Sequence, residues 1–497
     1  MTKEQALSLI AQKREAIRAL NMASALMHWD AATSGVPEKS LTARSAAVGW
    51  LGGEAFGRFI AEDTLQAIET LEGVLDRLDE RERAMVREMG RKYRKIKAVP
   101  TEEMKEYRAL TAQAEPIWEK AREKNDFAMI QPYYEKIFDF QRRLCDWFGY
   151  QKHPYDALLD DYEKGATVEM LDGFFAQLRE EIAPLVKMIG QRGSAPREIK
   201  GAFPIAKQRG LTPWLYSFVG FDASRGKVGE VAHPFCITIS RDDVRITTKY
   251  HEDDLLSSLY SVIHEAGHGL YEQNMDASLE SYGLDDCASM GMHESQSRLY
   301  ENMIGRSRAF AGVLLPKLRE LFDGFGDWDA ETLFRAINIA RPSLVRIEAD
   351  ELTYCLHIIV RYELEKALLA GEIKVCDLPG LWADKYEELL GVRPPDNAKG
   401  VLQDVHWSAG LVGYFPSYAV GNAYAAQIMQ AMRKTVDVDG AVGKGNLAPV
   451  EAWLCENIHR HGELYRPDEL LRRATGEGFN PAYYVAYLKE KFTELYK

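Results

Sequence analysis

The sequence predicts an all-α protein: one large helical body spanning residues 1–497. Three observations carry this. Residues 2–27, 63–97, 101–124, 127–148 and 167–190 all place apolar residues three and four apart, with charges on the opposite face. Breakers are sparse, with nineteen prolines in 497 residues. No internal repeat, low-complexity tract or Pro/Ser-rich linker marks a boundary. Length alone argues for roughly three domains, but the absence of linkers favours a single body.

One segment departs from the helical period. Residues 235–240 alternate and are rich in β-branched side chains, 241–243 read as a turn, and 244–250 alternate again. This pattern predicts a β-hairpin. Two helices follow, over 255–274 and 288–304. A further helix is expected from near Pro342 to Gly371, with Arg346 and Asp350 four apart on it as an ion pair.

Composition excludes several functions. Lys plus Arg number 62 against 75 Asp plus Glu, a formal charge of −13. That balance argues against nucleic acid, which needs a basic footprint, and against docking on anionic lipid. No stretch approaches the ~18 apolar residues of a membrane span, and the first twenty residues hold no apolar signal core. Cys145, Cys236, Cys287, Cys355, Cys376 and Cys455 form no C-x-x-C pair. They read as reduced thiols of a cytoplasmic protein.

The chemistry concentrates in His264-Glu265-Ala266-Gly267-His268. Residues four apart share one face of a helix, so the two imidazoles can hold one metal ion. Glu265 beside them is a base for water. Leu255, Leu259, Val262, Ile263, Ala266 and Leu270 form a core stripe on the same helix. Buried paired histidines need a partner; the competing reading is a satisfied pair of core histidines. A catalytic zinc takes a third protein ligand. The metzincin extension fails, because Tyr271 and Asn274 stand at its offsets. Glu272, Asp276, Glu280, Asp285, Asp286, Glu294 and Glu301 are the candidate carboxylates. Glu294, on the next helix, is preferred, because a third ligand usually converges from a different element. A solvated surface charge is its alternative.

Amide hydrolysis also needs donors for the developing oxyanion and groups that hold the substrate. His406, Tyr414 and Tyr418 are candidates for these tasks, each with a plain structural alternative. Arg346 and Arg245 are candidate carboxylate forks. The hairpin edge can hold an extended peptide by main-chain hydrogen bonds, and His233, which opens it, is a candidate for lining the same cleft.

These residues resemble the carboxypeptidase Taq family of metallocarboxypeptidases through six ordered motifs. They are His233-Pro234-Phe235, the D-x-R-x-T of Asp243, Arg245 and Thr247, the H-E-x-x-H at 264–268, and His293-Glu294-Ser295-Gln296. Val345-Arg346-Ile347-Glu348-Ala349-Asp350 and Gly400-Val401-Leu402-Gln403-Asp404-Val405-His406-Trp407 complete the set. Val345 departs from the Ile or Asn usual at the head of the fifth motif. The resemblance implies a two-lobed helical zincin with a deep groove, similar to neurolysin and angiotensin-converting enzyme. It implies zinc on His264, His268 and Glu294, with cobalt replacing zinc in some members. It implies release of single residues from peptides with a free C-terminal carboxylate, with broad preference and poor action on C-terminal proline. A homodimer is expected. Glu265 is the expected base, with His406 and a tyrosine at the oxyanion and Arg346 or Arg245 on the substrate carboxylate. An oligopeptidase-type metallo-endopeptidase would use the same helix and zinc and is the alternative.

Overall fold

The computed structural model of the protein describes residues 1–191 and 196–497. Helices dominate, and among the described residues a single three-stranded sheet interrupts them. No helix there is long and apolar enough to cross a membrane. All six cysteines are unpaired.

Two hydrophobic cores divide the body into two lobes. Helices Lys3–Thr33, Glu62–Glu72 and Glu80–Ala98 enclose a small one around Ile10, Ile68, Leu71 and Met89. Helix Leu41–Phe59 packs on the first helix, with Phe59 against that small core, and the helices from Thr101 onward share one large core. Between the lobes runs a groove with a cavity of about 1190 Å³, walled by Arg14 and Met89 on one side and by Ile239, Glu272 and Asp286 on the other.

Local chemistry refines the expected boundaries. The run 63–97 is two helices, because Gly73 closes Glu62–Glu72 and Asp79 starts Glu80–Ala98. There Asp79 accepts from Glu82 N at 2.8 Å while Glu82 accepts from Asp79 N at 3.0 Å, a reciprocal cap. The run 167–190 divides into Val168–Glu181 and Ala183–Gln191. Pro184 stands at that division, where it has no N–H to continue the ladder.

The helix expected from Pro342 is corrected. Residues 346–348 form a 3₁₀ turn, and the α-helix runs only over Tyr354–Ala370. Asp350 explains why. Its carboxylate accepts from Arg341 N and Leu352 N at 3.0 Å and from Thr353 N at 3.1 Å, closing a loop in place of helical bonds. The expected Arg346–Asp350 pair does not form; Arg346 binds Asp404 instead.

The hairpin forms as expected and gains a partner. With β1 as Gly226–Glu230, β2 as Cys236–Ser240 and β3 as Asp243–Thr248, the order is β1-β3-β2. Strand β3 lies in the middle, antiparallel to β2 and parallel to β1. Strand β1 (Gly-Lys-Val-Gly-Glu) carries no alternating signal, since two of its five residues are glycines. Helix Leu255–Gln273 packs on β3 and β2. It starts at Asp254, whose side chain accepts from Ser257 N at 3.1 Å.

The segment 401–407 is a fixed loop. Trp407 is buried among Tyr134, Phe138 and Trp382, and its Nε1 donates to Glu365 at 2.7 Å. Trp407→Phe keeps a ring there but leaves a buried carboxyl one donor short. We expect a loss of about 1–3 kcal/mol, read as a lower urea midpoint by circular dichroism. An unchanged midpoint refutes the assignment.

Candidate active site

Two elements bring the proposed ligands together. His264 and His268 project from one face of Leu255–Gln273, with ring centroids 4.9 Å apart. Glu294 comes from Met290–Arg298, packed against it. Its Oε2 lies 3.8 Å from His264 Nε2 and 3.4 Å from His268 Nε2. One donor atom from each of the three falls within 4.8 Å of the others. Two neutral-capable imidazoles and a carboxylate converging at that spacing are a donor set suited to a zinc-like cation.

Two glycines let the helices meet. A Cβ on Gly267 would lie 2.8 Å from the Gln296 carbonyl oxygen and 2.8 Å from Ser297 Cα. On the far side, a Cβ on Gly421 of helix Phe415–Met432 would lie 2.6 Å from Glu294 Cβ. The helix bearing Glu294 is thus held between two neighbours at backbone distance. Its N-terminus is fixed by Glu163, which accepts from Gly291 N at 3.0 Å and from Tyr424 Oη at 2.8 Å.

The ligand candidates are oriented by a closed ring of charge. His264 Nδ1 donates to Glu301 Oε2 at 2.9 Å, which leaves Nε2 with its lone pair facing the site. Arg298 donates to Glu294 Oε1 at 2.6 Å and to Glu301 Oε2 at 3.0 Å. Burial opposes charge on both carboxylates, but Arg298 and the histidines outweigh it and hold both well below the usual range. Burial pushes His268 down to about 3, so its ring is neutral. His293 stacks on it with centroids 4.3 Å apart and donates Nε2–H to Glu272 at 2.9 Å.

Glu301, one of the carboxylates the sequence offers as a third ligand, takes the orienting position on His264 instead. The helix expected over 288–304 is α-helical only to Arg298 and π-helical over Leu299–Ile304, and Glu301 sits in that wider turn. Arg298 escaped the sequence reading, although it stands four residues beyond Glu294 on the same face.

Glu265 is buried beside the triad, and burial pushes its carboxyl up to about 7. His406 and Tyr418 share one wall: His406 Nε2 lies 3.3 Å from Tyr418 Oη. Burial holds the His406 imidazole down to about 4, and its buried Nδ1 has no hydrogen-bond partner among the described residues. Tyr414 packs edge-on to Tyr418, 5.1 Å between centroids. Arg346 reaches the same wall, its guanidinium 5.1 Å from the Tyr418 ring centroid. It donates to Tyr354 Oη at 3.1 Å, and Arg298 covers the other part of that ring at 4.5 Å. One tyrosine therefore separates Arg346 from the arginine that grips Glu294.

The hairpin residues sit elsewhere. Arg245 pairs with Asp243 through two 2.7 Å bonds and lies over Trp29 of the first helix. Phe235 packs near His28 and is tied to Thr247, which donates from N at 3.0 Å and from Oγ1 at 2.8 Å to the Phe235 carbonyl. His233 is exposed. Strand β2 lies at the sheet edge, and Thr238, Ile239 and Ser240 face the groove.

Two substitutions test the ring and the close approach. Glu301→Gln weakens the hold on His264 and should lower divalent-metal affinity about 10–100-fold, measured by competition with a chelating dye. Gly267→Ala forces the two helices apart and should also lower divalent-metal affinity, with helical content retained. Wild-type affinity in both variants overturns this account of the geometry.

Comparison with known proteins gives the family. Residues 9–492 match the family described as Carboxypeptidase Taq (M32) metallopeptidase. Carboxypeptidase 1 of Bacillus subtilis is 43% identical over 478 residues, covering 95% of both chains. Thermostable carboxypeptidase 1 of Thermus thermophilus is 37% identical over 511 residues, covering both chains fully. Among solved structures, metallocarboxypeptidase 1 of Trypanosoma cruzi superposes with a TM-score of 0.94 at 36% identity, over 98% of this chain and 99% of that one. The chain belongs to the carboxypeptidase Taq family and is a metallocarboxypeptidase.

Proposed function

We propose that this metallocarboxypeptidase is zinc-dependent and removes single residues from peptide C-termini, with broad side-chain preference and poor action on C-terminal proline. His264, His268 and Glu294 would hold the zinc, and cobalt would serve in its place. The observation that carries this reading is the convergence of those three donors beside the buried Glu265. A divalent cation there supplies Lewis-acid polarisation of a carbonyl and makes water acidic near neutral pH.

The chain's own groups divide the remaining work. Glu265 takes the proton of the attacking water and returns it to the leaving amine. Tyr418, whose phenol burial keeps protonated, donates to the oxyanion together with the neutral His406. Arg346 binds the free carboxylate of the last residue. Three of its N–H groups are engaged, one on Nε, one on Nη1 and one on Nη2. One N–H on each terminal nitrogen is left to offer a carboxylate. Tyr414 lines the same wall. The open edge of β2 accepts the peptide backbone, with Arg245 and His233 at the hairpin end. The unpaired thiols are in keeping with a cytoplasmic enzyme. The homodimer expected from the family resemblance belongs to the proposal as well.

Glu265→Gln should retain zinc and lose about 10²–10⁴ of kcat, measured on an N-acylated peptide with a free carboxylate. Brisk turnover by that variant removes Glu265 from the reaction. The same peptide with an amidated C-terminus should be spared. Equal cleavage of both would make the enzyme an endopeptidase. Chelation should abolish activity, and zinc or cobalt should restore it.

A further inference from the structure

Behind Arg346 lies a second arginine that the six motifs do not contain. Arg361, on helix Tyr354–Ala370, has no exposed surface, and the Arg346 and Asp404 side chains are each only 8% exposed. Asp404 holds both arginines. Its Oδ1 accepts from Arg346 Nε at 3.0 Å and Nη2 at 2.8 Å, and its Oδ2 from Arg361 Nε at 2.9 Å and Nη2 at 2.7 Å. Gln403 ties the pair again: its Oε1 accepts from Arg346 N at 2.9 Å and from Arg361 Nη2 at 2.7 Å.

The two guanidiniums differ in what they have left to give. Arg361 spends its remaining donors on the His357 carbonyl at 2.7 Å and on Tyr386 Oη at 2.9 Å. With those bonds its five N–H groups are filled, so it has nothing to offer a ligand. Arg346 keeps an unfilled pair.

The charge count is equally lopsided. Two guanidiniums share one carboxylate, which leaves one positive charge in excess in a nearly dry place, where uncompensated charge is costly. The neighbours do not cancel it. Burial, with both arginines adding to it, keeps His406 neutral, and His357 is held well below its usual range by burial and the same arginines. Glu365, four residues beyond Arg361, hydrogen-bonds Tyr155, Trp407 Nε1 and Gly413 N and neither arginine, and burial, pushing its carboxyl up to about 7 against the pull of Arg361, leaves it only partly charged. Glu294 is engaged by Arg298. An anion arriving at Arg346 completes the balance. Without Arg361, the Arg346–Asp404 pair would be neutral and less attractive to one.

We propose that Arg361 is a positioning residue for recognition of the substrate's C-terminal carboxylate. Acting through Asp404, it fixes the fork of Arg346 and supplies the surplus positive charge the fork presents. The inference rests on the reading of Arg346 as the carboxylate-binding group.

The test uses the full-length, zinc-loaded enzyme and an N-acylated dipeptide with a free carboxylate. Arg346→Gln is the reference and should raise KM at least about tenfold. Arg361→Gln should also raise KM about tenfold, with kcat changed less than about threefold and zinc content unchanged, since uniform binding is what is lost. Arg361→Lys restores the charge without the fork and should fall between wild type and Arg361→Gln, at about threefold. A merely structural role would lower stability or kcat and leave KM in place. If Arg346→Gln raises KM and Arg361→Gln does not, this inference fails and the reading of Arg346 survives. If Arg346→Gln leaves KM unchanged, both fall. Should Arg361→Gln not fold, Arg361→Lys decides: a wild-type KM overturns the proposal.

Discussion

The structure around the metal site depends on the ring that joins His264, Glu301, Arg298 and Glu294. Each member solves a problem for the next. Glu301 fixes the tautomer of His264, Arg298 offsets two buried carboxylates, and Glu294 keeps one oxygen free for the site. Removing a partner from such a ring leaves a buried charge uncompensated. The ring also explains why the helix bearing Glu294 changes period. A π-helical turn after Arg298 carries Glu301 to His264, and insertions of this kind cluster at functional sites.

The candidate metal cluster was readable because a helix converts sequence spacing into spatial adjacency. His264 and His268 needed only the four-residue rule. Glu294 was harder, since its convergence depends on how two helices pack, and Gly267 and Gly421 set that packing through contacts no single sequence displays. The helical runs were legible from periodicity. Their interruptions at Asp79 and Pro184 follow from caps and proline chemistry that a coarse reading passes over. The stretch before Tyr354 failed for a definite reason: Asp350 hydrogen-bonds main-chain groups, an option periodicity does not weigh. Strand β1 was invisible because its glycines carry no propensity, and its pairing with β3 is long-range.

Arg361 had a signal of a different kind. It stands in the buried, mostly apolar run Cys355-Leu356-His357-Ile358-Ile359-Val360-Arg361, where a charge is expected only with a partner. Its partner, Asp404, lies forty-three residues away in the loop that also carries His406. The loop after Gly400 therefore links two tasks, holding arginines from one end and presenting an imidazole from the other. Trp407 anchors that loop in the large core.

The division into two cores has a consequence for how the molecule comes apart. All three candidate ligand residues, the proposed base and the arginine pair belong to elements of the large core. The small core is built by helices Lys3–Thr33, Glu62–Glu72 and Glu80–Ala98 with Leu78 between them, and Tyr282 packs against it. Opening free energies within one protein span from near zero to the global value, and a small core with few buried side chains lies toward the low end. Helix Glu80–Ala98 is tied to the large core through Ala84 and the buried Glu88–Lys164 pair, so the part of the N-terminal wall free to open while the large core stays folded is the pair of helices Lys3–Thr33 and Glu62–Glu72. Entry of bulky peptide ends would then be governed by a local folding equilibrium, and protease nicking under mild stress would begin on that wall.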